Sequence, residues 1–134
     1  MPISFYPHAG TVLICDFNGY VAPEICKVRP VVVITPRLPH RNGLATIVPI
    51  SLTAPTHDQP YVVRLSKNYH PLEDDALPCW AKCDLVANVR LERLSGFKVG
   101  RRKWETPRMI GEDLQSVRKG VLFGLGLGGL IKSE

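Results

Sequence analysis

At 134 residues the chain has the length of one domain, and with 45% apolar and 22% charged residues it is globular rather than disordered. No apolar run reaches the roughly 18 residues of a bilayer span, and Met1–His8 lacks the basic-then-apolar pattern of a secretory signal, so the chain is expected to be cytoplasmic. The net charge of +5 suits a polyanionic partner without requiring one.

In chain order, Thr11–Phe17, Pro30–Thr35, Leu44–Ile50 and Tyr61–Leu65 are short β-branched runs separated by Pro, Gly and Asn, and each is predicted to be a strand. Val12-Leu13-Ile14 and Val31-Val32-Val33-Ile34 are uninterrupted, as in strands buried on both faces. Pro49 cannot donate to a ladder, which predicts an edge or a bulge in the third run. Pro36–Gly43, Ala54–Pro60 and Ser66–Pro78 read as loops, the first of them basic and projecting. Cys79–Leu85 is predicted to be a fifth strand, Val89–Leu94 a short strand or one helical turn, and Arg101–Thr106 another short strand.

From Glu112 the period changes, and Leu114, Val117, Val121, Leu122 and Leu125 share a helical face. Gly120 and Gly124 weaken that helix by about 1 kcal/mol each relative to Ala. The glycines at 126, 128 and 129 end it. Short strands followed by one helix predict a small, partly open β-barrel with the helix packed against it.

Two stretches carry chemistry. In Glu24-Ile25-Cys26-Lys27-Val28-Arg29-Pro30, the proline forces Arg29 into extended geometry at a strand entrance. A guanidinium fixed there suits phosphate oxygens, being permanently charged and a planar fork of donors. A plain Glu24–Arg29 surface ion pair is the alternative. In Cys79-Trp80-Ala81-Lys82-Cys83-Asp84, a strand would set Trp80, Lys82 and Asp84 on one face about 6.5 Å apart, giving a base-stacking plate, a cation and a proton acceptor. An ordinary half-exposed strand is the alternative there.

The same geometry separates Cys79 and Cys83 by about 13 Å, beyond disulfide reach. The four cysteines are expected to be reduced thiols. No second ligand pair accompanies them, so neither a metal site nor a cofactor is expected. His8, His40, His57 and His70 read as solvated residues of loops or the N-terminal arm. Nothing resembling a P-loop, a dinucleotide fingerprint or a nucleophile elbow occurs.

Taken in order, Gly10–Phe17, Glu24 five residues before Arg29-Pro30-Val31-Val32-Val33-Ile34, Ile47-Val48-Pro49-Ile50-Ser51 and Ala81-Lys82-Cys83-Asp84 resemble the PemK/MazF (Kid) toxins over roughly residues 9 to 127. The resemblance implies one domain spanning 1–134, mainly β, an SH3-like barrel with a C-terminal helix. It further implies a homodimer, an antitoxin partner with an acidic tail, and metal-independent cleavage of single-stranded RNA to a 2′,3′-cyclic phosphate and a 5′-hydroxyl. Arg29 would stabilise the phosphorane and Glu24 or Asp84 would be the general base. Lys82 stands where some members have Arg, giving a point charge in place of a fork. Ser51, at the family's Ser/Thr position, and Thr53 just beyond it would bind substrate; Trp80 on its strand face and Arg37 and Arg41 in the basic loop are candidate contacts on the residues themselves.

Kid-like members carry a His just before the Glu. Here that position is Pro23, which shifts weight to Glu24, Arg29 and Asp84. His40, in the projecting loop, is a candidate substitute for the missing histidine. Two rival readings stand on the same fold. One is a non-catalytic inhibitor like the gyrase-poisoning toxins, and the other is an RNA-binding module without turnover.

Overall fold

The computed structural model describes residues 2–131. Nine strands precede one helix: β1 (Val12–Asp16), β2 (Val28–Val33), β3 (Leu44–Ser51), β4 (Val62–Arg64), β5 (Trp80–Lys82), β6 (Ala87–Arg90), β7 (Leu94–Ser95), β8 (Phe97–Gly100), β9 (Lys103–Glu105) and α1 (Gly111–Gly124). Single 3-10 turns lie at Cys83–Leu85, Leu91–Arg93 and Gly128–Leu130.

Seven strands form one antiparallel sheet in the order β4-β5-β3-β2-β1-β7, with β6 also pairing β3, while β8 and β9 form a separate hairpin. The hydrogen-bonded path stays open at β4 and β7. The expected mainly-β fold with a C-terminal helix is therefore present, and its sheet is not closed.

The aliphatic runs explain the layering. Alternate residues of β1, β2 and β3 point to opposite faces. Val12, Val32, Val48 and Ile50 join Ala81, Cys83 and Val117 beneath the helix, whereas Leu13, Cys15, Phe17, Val31, Val33 and Ile47 form a second core with Val89 and Leu94.

Pro49 lies in an interior strand, not at an edge. β3 pairs β6 through Leu44–Ile47 and β5 through Ile50–Ser51, so Val48 and Pro49 fall where the partner changes. Thr46 accepts from Ile34 N–H on the β2 side. Strand alternation then turns the Pro49 nitrogen towards the gap, where no ladder donor is needed.

Two expectations need correction. The segment Cys79–Leu85 is strand only from Trp80 to Lys82, and Asp84 rides on the following 3-10 turn rather than on the strand face with Trp80 and Lys82. The helix also stops at Gly124, which leaves Leu125 beyond its end and 58% exposed. Gly126, with φ +77°, closes the helix in a Schellman arrangement: Leu127 N–H donates to Leu122 O at 2.7 Å and Gly126 N–H to Phe123 O at 3.0 Å.

The helix glycines mark its contact with the sheet. A Cβ at Gly120 would sit 2.6 Å from Cys83 Sγ and 2.9 Å from Val63 Cγ2, and one at Gly124 would sit 3.1 Å from Asp84 Cα. Bare backbone at these positions lets α1 lie directly on the turn that carries Asp84. Arg118 clamps the other side, its Nε and Nη2 donating to Ile34 O at 3.0 and 2.9 Å.

All four thiols are unpaired, and burial pushes those of Cys15 and Cys83 up to about 12. Among the described residues no helix is long and apolar enough to cross a membrane.

Candidate functional site

Arg29 is the second residue of β2, and its backbone is fixed by pairing with Cys15 of β1. The β2–β3 ladder runs from Val33–Ile47 to Val31–Pro49. The ladder ends just short of Arg29 and Ser51, which border the same two hollows, and Ser51 pairs in turn with Trp80, and Trp80 with Arg64. Opposed residues share a face of a sheet. Ser51, Trp80 and Arg64 therefore form one row across three strands, on the face away from α1, with Arg29 beside its Ser51 end. Arg64 was not anticipated from sequence, where it reads as an ordinary charge at the end of a short strand.

Two hollows meet at Arg29, Ser51 and Thr53. The first, about 270 Å³, is also lined by Glu24, Cys26, Pro49 and Lys82. The second, about 190 Å³, lies towards the helix side and is lined by Val12, Pro30, Asn68, Tyr69, His70 and Glu73. The structure thus brings together Glu24, Arg29, Ser51, Thr53 and Lys82. Asp84 lines a third hollow beside the loop Pro55–Gln59, reached across Lys82 and Leu85, which border both it and the first. Trp80 is half-buried next to Ser51 but outside these walls.

The polar groups here are only lightly engaged. Glu24 Oε1 accepts from Val21 N–H at 3.2 Å, closing its own turn. The ion pairs among the described residues are Lys67–Asp75 and Arg90–Glu92, so the direct Glu24–Arg29 pair is not formed. Ser51 Oγ accepts from Thr53 N–H at 3.1 Å, which leaves its hydroxyl hydrogen available to a ligand. The loop bearing Glu24 is tied at its start by Arg93, whose Nη1 donates to Asp16 O and Asn18 O at 2.8 Å each beneath the ring of Tyr20.

Arg37 and Arg41 lie elsewhere. Arg41 Nη2 donates to Thr46 Oγ1 at 2.8 Å and to Asn88 Oδ1 at 2.6 Å, and Arg37 sits 5.7 Å over the Tyr6 ring in a hollow beside the N-terminal arm. No group of three His, Cys, Asp or Glu side chains suited to a metal occurs among the described residues.

The PemK-like, MazF-like toxin family of type II toxin–antitoxin systems matches residues 8–117. The chain belongs to this family. Among solved structures, this MazF-like toxin is similar to MazF from Deinococcus radiodurans, with TM-score 0.67 and 19% identity over 92% of this chain and 99% of the other. It is also similar to the Mycobacterium tuberculosis toxin MazF-mt6, with TM-score 0.59 and 18% identity over 87% and 97%. A mycobacterial endoribonuclease solved in complex with its cognate antitoxin aligns with TM-score 0.59 and 16% identity over 91% and 97%. At such identities the likeness speaks for the fold. No curated protein matches the chain. Every residue of the Ser51 row and of the two hollows that meet at Arg29 falls within the matched span.

His70 was missed as a site residue. In sequence it sits in a loop with no motif around it. Its place is set by Tyr69 reaching Asp113, a contact across 44 residues that no local pattern announces.

Proposed function

We propose that this toxin is an endoribonuclease that cuts single-stranded RNA without a metal, acting in the cytoplasm as a homodimer and held in check by an antitoxin. The observation that carries the reading is that Arg29 and Ser51 both border the two hollows where these meet, the Arg29 guanidinium being free of protein partners among the described residues.

The chemistry follows from the charges. The 2′-hydroxyl oxygen attacks the adjacent phosphorus, its proton passing to a carboxylate, while the bond from phosphorus to the 5′-oxygen breaks and that oxygen takes a proton. Negative charge grows on the non-bridging oxygens, which a rigid guanidinium and an ammonium stabilise best where they need not reorganise. Arg29 and Lys82 supply these charges, and Ser51 adds a neutral donor. Glu24 is favoured over Asp84 as the base because it shares the hollow with Arg29. Trp80 and Thr53 border the strand of RNA, and the antitoxin's acidic tail competes for the same cations.

Long RNA incubated with the purified protein in excess EDTA tests this. Fragments with 5′-hydroxyl and 2′,3′-cyclic phosphate ends are expected. Fragments with 3′-hydroxyl ends, or cleavage that needs added magnesium, would refute the mechanism. Intact RNA would favour the non-catalytic readings.

A further inference from the structure

The second hollow has no part in the proton transfers above, yet it is the better-built of the two. Its lining is largely apolar and includes Val12, Pro30, Ile50 and Tyr69. One wall is the loop that carries His70, and that loop is pinned. Tyr69 OH donates to Asp113 Oδ2 at 2.7 Å and accepts from Ile110 N–H at 3.2 Å. Ser66 donates to the same carboxylate through its N–H at 3.1 Å and its hydroxyl at 2.8 Å. Asn68 Oδ1 accepts from His70 N–H at 2.9 Å.

The His70 ring is oriented on two sides. Phe97 meets it edge-on, with centroids 4.6 Å apart and planes at 65°. Leu72 N–H donates to Nδ1 at 3.1 Å. A neutral imidazole that accepts at Nδ1 carries its hydrogen on Nε2. His70 lines the hollow, and with Nδ1 engaged by Leu72 the group it has left for a ligand is the N–H at Nε2. It is a recognition group.

An apolar lining, an oriented imidazole N–H and a shared arginine fit one ligand class. Unstacked RNA bases are read by apolar contact on their faces and hydrogen bonds on their edges. The geometry points to a nucleobase pocket next to the scissile phosphate, in which His70 selects the base by donating from Nε2 to a carbonyl oxygen or ring nitrogen. This rests on RNA being the substrate. Arg29 and Ser51 border both hollows, so a phosphate held there leaves its own base within reach of the second.

The test uses binding, so that it stands apart from turnover. A pool of random RNA heptamers made uncleavable by 2′-fluoro substitution is incubated with wild type, His70→Phe and His70→Gln, and the bound fraction is sequenced. Phenylalanine keeps the packing on Phe97 and removes the donor, while glutamine keeps an N–H. Wild type should enrich one base at one position. His70→Phe should lose that preference by about five- to tenfold at that position alone, the worth of one hydrogen bond, and His70→Gln should keep part of it.

Identical profiles for wild type and His70→Phe, or no base preference in wild type, would overturn the pocket. Ordinary RNA given to the same proteins separates the two proposals. Cleavage with an unaltered motif in His70→Phe removes the pocket and leaves the nuclease. Base selection in the pool by a wild type that never cuts removes the nuclease and leaves the pocket.

Discussion

Asp113 and Arg29 are both charged side chains on regular elements, and their surroundings differ in every respect that matters to a ligand. Asp113 is 7% exposed, and the donors of Ser66 and Tyr69 saturate its carboxylate. Arg29 is exposed, with its backbone locked in a ladder and its guanidinium without a protein partner among the described residues. The first arrangement spends a charge on the fold. The second holds a charge in place and leaves it unspent, which is the condition for preorganised stabilisation of a charge that develops during reaction.

The contrast is tested most severely by removing each charge. Arg29→Ala should lower the single-turnover cleavage rate by about 100-fold or more with an unchanged melting temperature. A folded variant that cuts at a near-normal rate would end the assignment. Asp113→Ala should do the reverse, costing about 3 kcal/mol in urea unfolding because Tyr69 OH and Ser66 N–H lose their buried acceptor. Asp113→Asn keeps an acceptor and should cost less.

Alkaline pH probes the same buried cluster more gently. Burial, together with the hydrogen bond to Asp113, pushes the Tyr69 hydroxyl up to about 12 from 10.0. The folded chain then keeps a proton that the unfolded chain has released, so the stabilisation is complete below pH 10 and is lost as pH rises through about 12. Tyr69→Phe should flatten the fall of stability across that window in urea titrations. The raised thiols of Cys15, Cys79 and Cys83 are present in both proteins, so the difference reports on the tyrosine together with its Asp113 contact.

The smallest effect separates spent from unspent surface charge. Arg101, Arg102 and Lys103 lie at the tip of the β8–β9 hairpin, where Lys98 Nζ sits 5.8 Å over the exposed Trp104 ring. Replacing the three by Ala should flatten the salt dependence of RNA affinity by about two log units per log unit of salt, at about 0.7 per phosphate. Arg37 and Arg41 should contribute about one unit, because Arg41 is already committed to Thr46 and Asn88. A flat response to both sets would place the RNA elsewhere.

How much of this could be seen in the sequence depended on distance along the chain. β1, β2 and β3 were legible because an aliphatic run reports its own burial, and Arg29 because the next residue, Pro30, restricts it. Pro49 was legible as a ladder defect but not as the point where a strand changes partners, since that depends on β5 and β6. Asp84 was misplaced because the strand pattern of Cys79–Leu85 continues past the residue where α1 presses on the chain. His70 and Arg64 gave no signal, as their neighbours come from elsewhere in the sequence.

The close seating of Gly120 on Cys83 and Val63 also limits how sequences of this shape can drift. In most helices a glycine-to-alanine change is a single and often favourable step. Here a new methyl group needs room that Cys83 Sγ and Val63 Cγ2 already fill, so position 120 changes only in company with 63 or 83. Because position 83 immediately precedes Asp84, a compensating loss of bulk there would shift the turn at the border of the proposed reaction cleft. The history of a helix residue on the far side of the sheet is thereby tied to that of the site.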